Sequence, residues 1–263
     1  MKKRIGIIGA GNIGGAIAHG LSNHAGIPAD HITLSRKRRD LLGGFASEGF
    51  NVSDNETLVK NSDILILSVL PHQAEKVIQS LEDLLDEKRH ILASIVSAVS
   101  IREIKGWTGN GFPVVRIMAN TAIEHGASMT CIAGENASIN EEIQRLFSPL
   151  GETMIIPEQL MPAATILAAC GIAFFLRFIR AVSQGGIQIG FHAEEAGHIA
   201  AQTAMGAAKL LLNSRHHPEM EIDRVTTPMG CTISGLNEME HYGLSSAMIK
   251  GIVKSFDGIG ELK

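Results

Sequence analysis

Seven short runs of β-branched and aliphatic residues alternate with helical segments over residues 1–156 of the chain. Runs this continuous fit strands that are buried on both faces, as in a parallel sheet covered by helices. The alternation of strand and helix predicts a doubly wound parallel sheet in an α/β domain of the Rossmann type. The predicted strands are 4–8, 31–35, 63–69, 90–96, 114–118, 128–133 and 152–156.

The sequence changes in character after Pro157. Segments 162–190 and 193–215 are long, rich in alanine and helix-periodic, and neither contains a convincing strand. The many small residues allow helices to pack closely, while the excess apolar surface needs a partner. We therefore expect two domains, an α/β domain over 1–157 and an all-α dimerisation domain over 158–263.

Composition excludes several classes of protein. Hydrophobic residues make up 45% and charged residues 19%, which argues against disorder. The formal net charge of −4 gives no basic field for nucleic acid or anionic membranes, and aromatic residues are only 4%. The three cysteines, Cys131, Cys170 and Cys231, are odd in number and widely spaced, which favours reduced thiols over a disulfide framework or a metal cluster.

Neither the N-terminus nor the longest apolar run predicts a membrane or secretory segment. The opening residues MKKRIGIIGAG begin with basic residues, but glycines interrupt the apolar stretch and no cleavage site follows. The run 163–176 ends at Arg177 and is shorter than the roughly 20 residues that span a bilayer. We expect a cytoplasmic protein that binds neither membrane nor nucleic acid and holds no metal.

A glycine motif follows the first predicted strand. Gly9, Gly11 and Gly14 form the pattern GxGxxG at the start of a helix. In this pattern the first glycine permits a tight turn, the second lets the backbone approach a pyrophosphate, and the third lets the helix pack on the strand. The helix N-terminus then offers free N–H groups to the anion. A glycine-rich turn without a ligand is the alternative, but the position inside a βαβ pattern favours a dinucleotide.

The end of the second predicted strand distinguishes between the two nicotinamide dinucleotides. NAD sites usually place an acid there for the ribose 2′-hydroxyl, but this chain has Ser35, Arg36, Lys37 and Arg38, and Asp40 comes too late. A hydroxyl and bases suit a 2′-phosphate. We predict that Ser35 and Arg36 contact NADPH, with NADH as the other possible donor; a solvated charge run is the alternative.

The stretch VTTPMGCTISGL, residues 225–236, contains no acid, histidine or lysine. A turn of small residues before a helix start offers exposed backbone N–H groups to a ligand of carboxylate size. The alternative is a helix N-cap, in which Thr226 or Thr227 caps a helix with Pro228 as its first residue. Both uses engage the same end of a helix, so they are compatible.

At this point the sequence resembles the pyrroline-5-carboxylate reductases over nearly its whole length. The resemblance rests on motifs in the family's order, namely GAGNIGGAIAHGL, Asn55 before DILILSVLP, RIMANTA, QTAMGAAKLLL, HPE and VTTPMGCTISGLNEME. Where family members often carry AVKP, MPNTP, GSGPAY and SPGGTT, this chain differs at 68–71, 118–122, 169–174 and 227–232. The last change puts Met229 at a glycine position, and methionine does not adopt a positive φ as freely as glycine.

The resemblance implies the reduction of 1-pyrroline-5-carboxylate, a cyclic imine carboxylate, to L-proline by NADPH. Because the iminium form is already electrophilic at its imine carbon and nicotinamide supplies hydride, the protein needs no nucleophile. By resemblance, the substrate carboxylate is held by Thr227 and by the backbone of Gly230 and Cys231, and the Thr232 hydroxyl meets the ring nitrogen. Family members build the site across a dimer, so a homodimer or larger homo-oligomer is expected. The cofactor contacts implied are Gly9, Gly11, Asn12, Ile13, Gly14, Ser35, Arg36, Asn55, Val69, Pro71 and Asn120.

Two other functions stay open. Lys209 and Asn213 share a helix face, as in the acid/base pair of the β-hydroxyacid dehydrogenases, although the glycine pattern that precedes that pair is missing. Alternatively, the changes at Leu70 and Met229 leave an NADPH-binding sensor without turnover. The histidine pairs 192/198 and 216/217 lack metal-ligand spacing and favour surface or capping roles. Asn55 is a candidate for capping the following helix as well as for contacting the adenosine ribose.

Overall fold

The computed structural model describes residues 3–259. Eight strands lie in this part of the chain: β1 Ile5–Ile8, β2 Ile32–Ser35, β3 Asn51–Val52, β4 Ile64–Leu67, β5 Ile91–Ser94, β6 Val114–Met118, β7 Ser128–Gly134 and β8 Gly151–Ile155. The α-helices are α1 Asn12–Asn23, α2 Gly43–Ser47, α3 Asn55–Lys60, α4 Pro71–Gln79, α5 Ile101–Thr108, α6 Ala137–Phe147, α7 Met161–Ala164, α8 Gly171–Gln188, α9 Ala193–Ser214, α10 Pro218–Val225, α11 Cys231–His241 and α12 Leu244–Asp257.

The strands form one sheet in the order β3-β2-β1-β4-β5-β6-β7-β8, so the predicted α/β fold is confirmed. β1 pairs in parallel with β2 on one side and with β4 on the other, with Ile7 opposite Leu34 and Ile66. The strand order therefore reverses between β1 and β4. In doubly wound sheets a crevice opens at such a point, beyond the carboxyl ends of the strands, and it is where ligands bind.

Two features of the sheet differ from the prediction. The two-residue strand β3 pairs with β2 through Thr33 and Asn51 and was not predicted, because two exposed residues give no apolar run. β7 runs antiparallel to β6, while the other described pairs are parallel. The connection 119–127 is shorter than the dozen or more residues of a parallel crossover, which forces a reversal.

Both faces of the sheet are buried. Ile7, Ile66 and Ala93 lie in one apolar cluster with residues of α1 and α6, while Ile8 and Leu65 lie in another with residues of α4 and α5. Strand residues alternate between the two clusters because successive side chains of a strand point to opposite faces. Continuous apolar runs result, as the sequence pattern predicted.

The chain divides into two compact units, residues 3–170 with 256–259 and residues 171–255. The predicted domain boundary between residues 157 and 158 stays a prediction. Within 171–255 four described residues are buried, namely Gly171, Ser183, Ala196 and Ala200. Helices α8 and α9 pack closely there, since a Cβ at Gly186 would lie 3.0 Å from the Ala196 Cβ.

Large apolar side chains remain exposed on this helical unit. Phe175 is 64% exposed, Leu212 71% and Ile249 63%. Helices draw most of their stability from packing an apolar face, and these faces have little to pack against within residues 171–255 of one chain.

One continuous helical stretch, Glu158–Gln188, is long and apolar enough to cross a membrane by length and composition alone. Its mean hydropathy is 1.9 in an 18-residue window, of which 28% is buried. The apolar run in the sequence ends at Arg177, but the helix continues to Gln188. A helix that packs in a globular core passes the same test of length and composition.

Candidate active site

The glycine loop between β1 and α1 has the shape that a dinucleotide pyrophosphate needs. Gly9 has φ +98°, and a Cβ there would lie 2.7 Å from the Ser68 carbonyl oxygen. A Cβ at Gly14 would lie 2.6 Å from the Gly9 carbonyl oxygen. At Gly11 the nearest atom to a Cβ is 3.9 Å away, so the backbone is open to a ligand at this position. Gly9 and Gly14 thus take the steric roles that their spacing predicts, and the contact of Gly11 with a pyrophosphate stays a prediction.

Hydrogen bonds hold this loop against the neighbouring strand. The Gly9 and Ala10 N–H groups donate to the Ser35 carbonyl oxygen, at 3.0 and 2.9 Å. Helix α1 begins at Asn12, with Gly11 as N-cap, and no side chain caps it. Asn12 and Ile13 therefore present first-turn N–H groups at an uncapped helix end, where an anion is stabilised.

Some of the basic residues after β2 form ion pairs and others do not. Arg38 pairs with Asp40 at 3.2 Å, and Arg39 pairs with Asp54 at 3.6 Å. The half-buried Arg36 side chain has no ion pair or hydrogen bond within residues 3–259. Ser35 is 1% exposed, and its hydroxyl has no hydrogen-bond partner among the described residues. Arg36 and the exposed Lys37 are thus the cations in this segment that pair with no other described residue and are free to meet a 2′-phosphate.

Three further predicted cofactor residues lie at the carboxyl edge of the sheet or just after it. Val69 follows β4, and its Cγ1 would lie 2.8 Å from a Cβ at Gly9. Pro71 is the first residue of α4, whose N-terminus no side chain caps. Asn55 begins α3 and is half-buried. The prediction that Asn55 caps this helix was wrong, because the Asp54 carboxylate accepts the Thr57 N–H at 2.8 Å.

Asn120 follows β6, and its side chain is already used within the chain. Its Nδ2 donates to the Ala168 carbonyl oxygen at 2.8 Å, and its Oδ1 accepts the Ala122 N–H at 3.0 Å. Ala168 lies in a π-helical turn, Thr165–Cys170, and π turns occur frequently at functional sites. One amide hydrogen and one lone pair of Asn120 remain for a cofactor.

The stretch 225–236 contains a tight turn followed by a helix start. The Gly230 N–H donates to the Thr227 carbonyl oxygen at 2.9 Å, with Pro228 and Met229 between them. Helix α11 begins at Cys231 with Gly230 as N-cap. The alternative in which Thr226 or Thr227 caps a helix that starts at Pro228 was therefore wrong. The cause is the left-handed backbone of Met229, which interrupts any helix before Cys231.

Met229 adopts φ +59°, and its side chain is 101% exposed. With proline before it and a positive φ at the third position, the turn matches type II, which favours glycine there. A side chain other than glycine in this conformation costs roughly 1–2 kcal/mol. Methionine is unsuited to this position, as the sequence predicts, because its backbone lies in the left-handed region.

The predicted substrate groups are exposed at this turn. Thr227, Cys231 and Thr232 are all exposed, and no side chain caps α11. The Gly230 N–H is the exception, because the turn already uses it. The N–H groups of Cys231 and Thr232 are therefore the first-turn donors that stay free of the turn hydrogen bond.

The structure also gives the surroundings of the lysine, histidine and cysteine residues that the sequence analysis considered. Lys209 is exposed and makes no ion pair within residues 3–259. The His217 Nδ1 accepts the Glu219 N–H, so His217 caps α10, as its sequence context favoured. Burial raises the pKa of the Cys131 and Cys170 thiols, which keeps them protonated and unreactive. No group of three potential metal ligands lies together in the described part of the chain.

Two residues near the cofactor edge were missed by the sequence analysis. The Ser68 hydroxyl donates to the backbone of the glycine loop, and Ala98, just after β5, has φ +59°. A small polar residue at a strand end is too common to signal the first. Nothing in the sequence around Ala98 signals a left-handed backbone.

Two family models match the chain. Pyrroline-5-carboxylate reductase dimerisation matches residues 158–262, and NADP oxidoreductase, coenzyme F420-dependent, matches residues 4–98. The chain is 43% identical to pyrroline-5-carboxylate reductase 2 of Dictyostelium discoideum over 96% of its own length and 91% of that protein. The chain belongs to the pyrroline-5-carboxylate reductase family. The resemblance drawn from its motifs is confirmed.

Two further comparisons extend this result. The chain is 44% identical to pyrroline-5-carboxylate reductase 1 of Dictyostelium discoideum over 98% of its own length, but it spans only about half of that protein, 49%. A crystal structure of Plasmodium falciparum pyrroline carboxylate reductase with NADP bound is 22% identical, with a TM-score of 0.90 over 99% of this chain and 98% of that one. At this identity the similarity supports the fold.

Proposed function

We propose that this chain reduces 1-pyrroline-5-carboxylate to L-proline with NADPH, the last step of proline biosynthesis. The observation that carries the proposal is the match to Dictyostelium pyrroline-5-carboxylate reductase 2 over nearly the full length of both chains. The two family-model matches, over residues 4–98 and 158–262, include the glycine loop after β1 and the turn before α11.

The residues at the cofactor edge fit NADPH. The open backbone at Gly11 and the uncapped start of α1 suit the pyrophosphate, and the unpaired Arg36 suits a 2′-phosphate. NADPH supplies hydride when it is bound. Asn55, Val69, Pro71 and Asn120 are proposed to line the rest of this site.

The turn 227–230 and the start of α11 fit the substrate. The Thr227 hydroxyl and the Cys231 and Thr232 N–H groups would hold the carboxylate, and the Thr232 hydroxyl would lie against the ring nitrogen. The iminium carries its proton and its positive charge before hydride arrives at the imine carbon, so no acid or base is required of the loop. Its task is to hold the ring in one orientation.

The same chain is proposed to act as a homodimer or a larger homo-oligomer, with the site shared between subunits. Few residues of 171–255 are buried within one chain, while Phe175 and Leu212 are exposed. A Phe175→Glu change should lower the sedimentation mass at micromolar concentration, whereas Leu41→Glu, outside the dimerisation match, should not. A wild-type protein that sediments as a monomer would contradict this assembly. We further propose that the protein is cytoplasmic.

The test of function is NADPH consumption by the purified protein with 1-pyrroline-5-carboxylate, run beside NADH and with proline measured as product. Turnover that yields proline supports the proposal. Thr232→Ala should then lower kcat by about tenfold or more. Thr232→Ser is the control, because it keeps the hydroxyl and should keep most of the activity. Oxidation of a hydroxy acid that is lost in Lys209→Ala would favour the β-hydroxyacid dehydrogenases instead. NADPH binding without consumption would favour the sensor.

A further inference from the structure

Met229 combines a strained backbone with an exposed side chain. Its backbone is in the left-handed region, at φ +59°, which favours glycine. Its side chain is 101% exposed, so it gains no packing within its own chain in return. Strained residues of this kind cluster at active sites and ligand clamps.

The surroundings of Met229 define what such a contact would be. Pro228 fixes the turn on one side, and on the other a Cβ at Gly230 would lie 2.6 Å from the Thr227 hydroxyl oxygen. The turn is therefore tightly determined, and it presents Met229 next to the polar groups of Thr227, Cys231 and Thr232. A ligand held by those polar groups at its carboxylate would have its remaining surface within reach of the methionine side chain.

We propose that Met229 is a specificity-determining residue that packs its thioether side chain against the ring methylenes of the bound imine. The inference rests on the proposed function, since it takes the turn 227–230 as the substrate turn. Two carbons of the pyrroline ring are methylenes and need an apolar neighbour. Methionine is flexible and polarizable, which suits it to an irregular apolar surface.

Three variants of Met229 distinguish the effect of its side chain on substrate binding from the effect of its strained backbone. Met229→Ala removes the side chain and keeps the unfavourable φ, Met229→Gly removes both, and Met229→Leu keeps an apolar side chain of similar size. We expect both truncations to raise the KM for 1-pyrroline-5-carboxylate about tenfold, as for loss of an apolar contact, with kcat nearly unchanged. Met229→Leu should stay within about threefold of wild type, which is the range of a size-conserving swap.

A matched control is available in the same helical unit. Arg215 has φ +57° at the end of α9 and takes no part in the proposed site. Arg215→Gly relieves strain of the same kind, and we expect the imine KM to stay at the wild-type value. The Kd for NADPH, measured by fluorescence titration, should be the same in all these variants, because the proposed cofactor residues lie within 9–120.

The possible results are distinguishable. Unchanged KM in Met229→Ala and Met229→Gly overturns the proposal. A wild-type KM in Met229→Ala with an altered KM in Met229→Gly assigns the effect to backbone shape and also overturns it. A lower sedimentation mass with unchanged KM places Met229 in a subunit interface instead. If the wild-type protein itself consumes no NADPH with the imine, the proposed function fails and this inference fails with it.

Discussion

The Ser68 hydroxyl donates a hydrogen bond of 2.9 Å to the Gly9 carbonyl oxygen, joining the end of β4 to the glycine loop. The Ile8 carbonyl oxygen lies 3.2 Å from the same hydroxyl. Because Gly9 also donates its N–H to the Ser35 carbonyl, the loop is fixed from the strands on both sides of β1. The shape of the proposed pyrophosphate site is thus held by hydrogen bonds within the chain.

Loss of the Ser68 hydroxyl should loosen this loop. We expect Ser68→Ala to lower the free energy of unfolding by about 1 kcal/mol, the usual net value of one hydrogen bond, and to raise the Kd for NADPH about threefold. Ser80→Ala is the matched control, because the Ser80 hydroxyl donates to the Val77 carbonyl at 2.8 Å on the exposed end of α4. Urea unfolding and fluorescence titration measure the two effects. Equal NADPH affinity in both variants would refute the role of Ser68.

Gly14 should tolerate no side chain. A Cβ there would lie 2.6 Å from both the Gly9 carbonyl oxygen and the Ser68 hydroxyl oxygen, so Gly14→Ala must displace the loop. We expect the Kd for NADPH to rise at least tenfold, or about 1.4 kcal/mol. Gly106→Ala in α5 is the control, since a Cβ there meets nothing within 4 Å. That change should leave NADPH binding intact and stabilise the protein by about 0.5–1 kcal/mol.

Arg36 should discriminate between the two dinucleotides. If its guanidinium meets the 2′-phosphate, Arg36→Gln should raise the KM for NADPH about tenfold, in line with the roughly 1.5–3 kcal/mol of a hydrogen bond to a charged group. The KM for NADH should not change, because NADH lacks the phosphate. Arg38→Gln is the control, as Arg38 pairs with Asp40 on the surface. Parallel losses with NADPH and NADH in Arg36→Gln would rule out this contact.

Much of the α/β fold could be predicted because burial on both faces leaves a continuous apolar run in each central strand. An apolar run does not indicate whether a strand is parallel or antiparallel to its neighbour, so the antiparallel direction of β7 was not predicted. The short connection 119–127 between β6 and β7 does imply it. The cap of α3 was assigned to Asn55 in place of Asp54, because neighbouring residues with similar side chains compete for one position and only geometry decides between them.

Some features of the candidate site could also be predicted from the sequence, and others could not. Gly9 and Gly14 were predictable because each meets a distinct steric demand of the loop. The unsuitability of methionine at position 229 was predictable from the φ that the turn requires. The use of the Gly230 N–H within the turn was not predictable, because it depends on the path of the backbone from Thr227. Likewise, the burial of the Ser35 hydroxyl depends on packing around the whole loop.

His90 makes stability depend on pH. It is 2% exposed, and its Nδ1 accepts the Asp86 N–H at 3.0 Å. Burial, aided by the neighbouring charge of Arg89, lowers the pKa of His90 below its ordinary value of 6.5. The unfolded chain therefore binds a proton at a higher pH than the folded chain does. The free energy of unfolding should be highest above pH 6.5 and fall as the pH drops from 6.5 toward the lowered pKa.

The measurement is the urea midpoint at pH 8.0 and at pH 5.5. His90→Asn keeps an acceptor for the Asp86 N–H but cannot titrate, so we expect its midpoint to fall less than that of wild type between these pH values. His72→Asn, at an exposed position of α4, is the control and should keep the wild-type difference. A wild-type pH difference that persists in His90→Asn would show that another group causes it.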